Sequence, residues 1–136
     1  MSYSAYIAVY EDADVRYPDH WALQLLNNND ADDSIMFQVL LSDNMVTYFV
    51  DEPAYRKPED AKSFSEKLHV GDVKTDDINK LIALIERVPM VQYARHRWNC
   101  QSWVMDVLDE MCKRDLLTWK DRMRTRAQKR MWFLKA

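Results

Sequence analysis

The stretch Arg97-Trp98-Asn99-Cys100-Gln101-Ser102-Trp103-Val104 holds a cysteine whose setting suits a nucleophile. Cys100, Trp103, Val104, Val107, Leu108 and Met111 follow the i, i+3, i+4, i+7 spacing of one buried helix face, and Asn99 stands just ahead as an N-cap. Cys100 is therefore expected on the first turn of a core helix. There the unpaired N–H groups and the positive end of the helix dipole favour thiolate over thiol. Such a sulfur also needs a base, because a thiol near pKa 8.5 is mostly protonated at neutral pH. His20 is the candidate base. Gln38 is the candidate third residue, since its carboxamide oxygen can accept from the imidazole and set its tautomer without adding charge.

These three residues need particular elements to bring them together. Ser4 to Tyr10 reads as a first strand and His20 to Leu26 as a second, separated by the polar connector Glu11 to Asp19. The Asn/Asp-rich run Asn27 to Asp33 reads as a loop. Ser34 to Leu41 and Met45 to Val50 read as third and fourth strands, joined by a tight turn at Ser42-Asp43-Asn44. If the second and third strands pair with the loop centred on Asn29, residues whose numbers sum to 58 face one another. His20 and Gln38 then project side by side from one face, with Cβ atoms about 5 Å apart. A helix laid across that face would put thiol, imidazole and amide in a row, with the N–H groups of Cys100 and Gln101 as oxyanion donors.

Further along, Asp51 to Lys67 carries a weak signal, with a short helix expected around Glu59 to Leu68 and a fifth strand at Leu68 to Val73. Thr75-Asp76-Asp77 should cap a helix striped by Ile78, Leu81, Ile82 and Ile85 and stopped by Pro89. The helices are placed at about 75–88, 99–113 and 118–134. The last has Trp119, Met123, Ala127, Met131 and Leu134 on one side and basic residues around the rest. No repeat or long linker divides the 136 residues, which read as a single domain, 1–136, with strands at about 4–50. The fold class is α+β, a small antiparallel sheet of four to five strands with the Cys-bearing helix and further helices packed against it.

The segments His20-Trp21-Ala22-Leu23 and Asn99-Cys100-Gln101-Ser102-Trp103-Val104, in that order, resemble the circularly permuted papain-like (NlpC-type) thiol hydrolases. The likeness is greatest to the lecithin:retinol acyltransferase-like group, with its H-W-A-[IL] strand and N-C-E-H-F-V helix. The PPPDE-type isopeptidases are similar at fewer positions. The resemblance covers about His20 to Leu41 and Trp98 to Leu108. It implies attack on an ester, amide or thioester carbonyl through a thioester acyl-enzyme, with Cys100 as nucleophile, His20 as base and Gln38 as orienting residue. Gln38 stands where that group has a second histidine, Gln101-Ser102 replaces Glu-His, and no C-terminal membrane anchor of that group's kind is expected.

Composition narrows the alternatives. The single glycine, Gly71, excludes Gly-rich phosphate loops. Cys100 and Cys112, on one helix, would lie about 18 Å apart and cannot bridge. With no signal peptide and no membrane-spanning run, the expected location is the cytoplasm. His69 and His96 fit no zinc spacing with the cysteines, so neither metal nor cofactor is expected. Trp21, Trp98 and Gln101 are the candidate substrate contacts, although tryptophans beside a core helix also serve as packing. From Thr118 to Ala136 seven basic residues stand against Asp121, giving +6, while the rest of the chain carries −9. Docking of that helix on its own acidic body is preferred to nucleic acid or an anionic membrane held through Arg122, Arg124 and Arg126. A small-molecule substrate is the expected partner, and nothing in the sequence sets an oligomeric state. Two other functions stay open. One is a non-hydrolytic protein whose cleft binds a hydrophobic ligand or assists cyclisation or isomerisation, and the other is an interaction module using the basic helix.

Overall fold

The computed structural model describes residues 2–11, 19–43, 47–90, 98–119 and 121–131. Its fold is α+β. Strands β1 (Ser2–Tyr10), β2 (His20–Asn27), β3 (Ser34–Phe37) and β6 (Phe64–Lys74) form an antiparallel sheet in the order β3-β2-β1-β6. Strands β4 (Val39–Leu41) and β5 (Tyr48–Val50) form a separate two-stranded sheet. The helices are α1 (Ile78–Ile85), α2 (Cys100–Lys113) and α3 (Asp121–Arg130). Alternation along the strands separates two faces. Ala5, Ile7 and Val9 of β1 and Trp21, Leu23 and Leu25 of β2 join the buried stripes of all three helices in one cluster. On the other face Ala8, Ala22 and Met36 form a small second cluster with Tyr10 and Ala54.

The sequence-based boundaries change in four places. No helix forms at Glu59 to Leu68; a single 3-10 turn at Pro58–Asp60 is followed by β6, which extends from Phe64 rather than Leu68. Leu68 and Val70 are buried while Ser65 and His69 are exposed, and past the register shift at Gly71 the alternation changes phase so that Val73 is buried and Asp72 exposed, an edge strand whose polar half hides it from a helix count. The expected third strand breaks at Gln38 into β3 and β4. Thr75–Asp77 is a 3-10 turn leading into α1, whose N-cap Asp77 makes no side-chain capping bond, and α1 ends at Ile85 rather than 88. The final helix begins at Asp121, not Thr118, and the expected end at Leu134 lies outside the described residues, as do His96, Asn44 and Met45.

Gly71 is needed where β6 meets the chain after α2: a Cβ there would lie 2.6 Å from Leu117 Cδ1 and 2.8 Å from the Thr118 carbonyl oxygen. α3 then covers the sheet edge with Ala127 and Met131 buried and Met123 partly so. Arg124 makes a two-pronged ion pair with Asp109 of α2 (3.1 and 3.0 Å), and Arg130 pairs with Glu66 of β6 at 2.7 Å. Among the described residues no helix is long and apolar enough to cross a membrane.

Candidate active site

Asn99 is the N-cap of α2, as its type and place require. Its Oδ1 accepts from Gln101 N (2.9 Å) and Ser102 N (3.4 Å), and Ser102 Oγ returns the bond by accepting from Asn99 N at 3.1 Å. This box sets where the helix starts and hence where Cys100 points. One expected oxyanion donor is thereby engaged, because Gln101 N–H is held by the cap. The Cys100 N–H makes no hydrogen bond to another of the described residues.

His20 and Gln38 come together as expected, by a different register. β2 and β3 pair as Leu23↔Phe37 through Leu26↔Ser34, numbers summing to 60 rather than 58, so the loop centres on Asp30. A shift of two residues keeps every side chain on its face, and a diagonal neighbour remains within reach of long side chains. Gln38, at the corner between β3 and β4, therefore still meets the imidazole: Gln38 Oε1 lies 2.7 Å from His20 Nε2. Its amide nitrogen donates to Asp51 Oδ2 at 3.1 Å, and its backbone carbonyl accepts from Asp51 N at 3.0 Å. The carboxylate can only accept, so it holds the amide with its oxygen toward the ring. His20 Nε2 must then carry the hydrogen, and Nδ1 is left as the basic nitrogen. Tyr10, directly opposite on β1, packs its ring against the imidazole at 5.7 Å. Burial pushes the His20 pKa below its ordinary 6.5, only partly offset by the bond to Gln38. A neutral ring at neutral pH follows.

The placement of the sulfur corrects one expectation. α2 lies on the Trp21 face, whereas His20 projects from the opposite face with Tyr10 and Ala22. Cys100 is instead found at the open edge of β2. Pairing with β3 starts only at Leu23, which leaves residues 19 to 22 unpaired on that side. Asp19 and Trp21 have the same parity and direct their backbone groups to the same edge. The Cys100 thiol donates to the Asp19 carbonyl at 3.8 Å, and Gln101 Nε2 donates to the same carbonyl at 2.9 Å. Sγ thus sits on the rim between the two faces, against the residues flanking His20. No hydrogen bond joins it to the imidazole among the described residues.

Burial raises the Cys100 pKa above that of an ordinary thiol, against the lowering pull of the backbone N–H groups of Trp21, Gln101 and Cys100 itself. The thiolate expected from the helix start is therefore not the resting form: desolvation outweighs the dipole. Tyr48, on β5, is near enough that a charged sulfur would raise its own pKa further, and its ring meets Trp98 edge-on at 5.2 Å.

Of the expected substrate contacts, Trp98 stays partly exposed beside Tyr48, with its indole N–H donating to Asp106 at 3.1 Å. Trp21 is in the core beneath α2 at 1% exposure, and Gln101 of α2, also 1% exposed, clamps the strand edge, so neither is among the residues lining the cleft on the far face. A cleft of about 480 Å³ opens instead on the far face, where Tyr10, His20, Gln38 and Arg56 contribute to its lining. Asp51, Asp19 and Tyr10 are the site residues that sequence reasoning missed. A hairpin register would have found Asp51: Val39↔Val50 extends to Gln38 opposite Asp51, but the assumed three-residue turn hid it, since the connection closes from Ser42 N to Thr47 O. Among the described residues no cluster of His, Cys, Asp and Glu could hold a metal ion.

Residues 5–118 match a family of unknown function (DUF6540), and the chain belongs to that family. No curated protein and no solved structure matches it.

Proposed function

We propose that the chain is a cysteine-dependent hydrolase or acyltransferase of permuted papain-like fold, acting on a small ester, amide or thioester through a thioester acyl-enzyme. The observation that carries this reading is the 2.7 Å contact of His20 Nε2 with Gln38 Oε1, itself oriented by Asp51. It supplies a neutral imidazole with its basic nitrogen fixed, on the strand next to whose first residue the helix-start thiol is held. The chain order, histidine on a strand, amide on the next and cysteine opening a later helix, agrees with the permuted arrangement.

Thiol and imidazole both rest neutral, so the ring acts as a general base and not as half of a preformed ion pair. His20 Nδ1 takes the Sγ proton over the open strand edge, directly or through one water, as sulfur bonds to the carbonyl carbon. The carbonyl electron pair moves to oxygen, where the Cys100 N–H can receive it. Collapse expels the leaving group, which takes the proton back from the imidazolium. Water or another acceptor then attacks the thioester by the same steps in reverse order.

The test is intact-mass analysis after incubation with p-nitrophenyl acetate, p-nitrophenyl butyrate and an acyl thioester. An acyl adduct on Cys100 is expected, absent in Cys100→Ala and slowed in His20→Ala. Full activity in Cys100→Ala, or no adduct with any of these acyl donors, would refute the proposal.

A second reading is favoured by one observation: Cys100 does not line the cleft that His20 and Gln38 line. There His20 would serve as acid or base in a non-hydrolytic reaction and Cys100 would be structural. Activity that survives Cys100→Ser and disappears in His20→Ala would select it.

A further inference from the structure

We infer that the cleft over His20 is built for a small ligand bearing one carboxylate, which Arg56 anchors while the ligand's carbonyl end reaches the His20–Gln38 pair. The inference rests on the proposed function for the identity of the reacting end, and on the cleft alone for the anchor. Among the described residues, Arg56 and Lys57 are the cations lining the roughly 480 Å³ space. Lys57 is committed elsewhere, its Nζ held by Asp32 at 2.9 Å. Arg56 makes no ion pair among the described residues; burial raises the Tyr10 pKa, and the nearby Arg56 charge pulls it only part of the way back.

The position of Arg56 is set by its backbone and not by its guanidinium. Ala54 pairs with Met36 through two backbone bonds of 2.7 and 3.0 Å, and the Arg56 carbonyl accepts from Ser34 Oγ at 2.8 Å. An exposed arginine on so fixed a backbone, paired with no carboxylate among the described residues and beside a tyrosine, a histidine and a glutamine, presents a planar fork of donors to a carboxylate. Glu11 and Asp60 also line the cleft. Their charge opposes a dianionic phosphate more than a single carboxylate, which is why the ligand is assigned as the latter.

The experiment uses the full chain carrying Cys100→Ala, so that no turnover occurs, with histidine NMR signals followed during titration. The probes are monomethyl succinate, its neutral counterpart dimethyl succinate, and methyl phosphate. Monomethyl succinate should shift the His20 signals saturably and bind about five- to tenfold more tightly than either other probe, a ratio appropriate to a charge-assisted bond at a solvent-exposed rim. Arg56→Gln should remove that preference, with Arg56→Lys retaining part of it. The guanidinium makes no hydrogen bond or ion pair among the described residues, so both variants should keep the parent thermal midpoint. Equal binding of the neutral diester, stronger binding of methyl phosphate, or an unchanged preference in Arg56→Gln overturns the inference. Carboxylate binding without any acyl adduct on Cys100 of the parent protein would sustain this inference and defeat the hydrolase. An acyl adduct without carboxylate preference would do the reverse.

Discussion

Replacing Gln38 with alanine separates a positioning role from a merely structural one. The substitution removes the 2.7 Å bond to His20 Nε2 and the 3.1 Å bond to Asp51 Oδ2. A net intramolecular hydrogen bond contributes about 1 kcal/mol, and one to a partly exposed carboxylate little more, so a stability loss of about 1 to 2 kcal/mol is expected. The catalytic cost comes from the freed ring, which can flip or change tautomer; an orienting bond of that strength implies about a tenfold slower acylation. The pH profile carries the distinguishing sign. Burial already lowers the His20 pKa and the Gln38 bond opposes it, so removing the bond moves the imidazole pKa further down. A base with a lower pKa stays unprotonated to lower pH, so the acid limb of the acylation rate should move to lower pH even as the plateau falls. Urea denaturation gives the stability, stopped-flow release of p-nitrophenol gives the rate, and histidine NMR gives the titration. A Gln38→Ala protein with the parent acylation rate and an unmoved His20 titration would refute the reasoning.

Two other outcomes follow from the same structure. Alkylation of Cys100 by iodoacetamide should be slow at pH 6 and rise as pH passes 9, because burial raises the thiol pKa and only the thiolate reacts; a rate already level by pH 6 would contradict this. Gly71→Ala should lower stability by about 1 to 3 kcal/mol, since its Cβ would press on the Thr118 carbonyl oxygen as well as on Leu117. An unchanged urea midpoint would show that residues 117 and 118 can move aside.

The α2 helix was legible because every signal for it is local: Asn99 followed by Ser102 closes the cap, and Trp103, Val104, Val107, Leu108 and Met111 repeat at the helical period and are all buried. The pairing of His20 with Gln38 was legible for a weaker reason. A sheet has only two faces, so an even error in register preserved the side-by-side placement. Asp51 was not legible, since its contact with Gln38 depends on the length of a turn that residue types alone did not set. β6 was obscured by Glu66, Lys67 and Asp72, charges that an edge strand can turn to water.

Residue types and their periods by themselves determined an α+β chain, a cysteine on the first turn of a core helix, and a histidine sharing a strand face with a glutamine. The tertiary structure decided which face of β2 the helix covers, and therefore that the sulfur rests on the strand's open edge with its proton retained. The reason is that helix-start electrostatics is a property of adjacent residues. Desolvation is a property of everything packed around the sulfur, including Asp19 and Trp21, some eighty residues away in the chain, and here desolvation is the larger of the two.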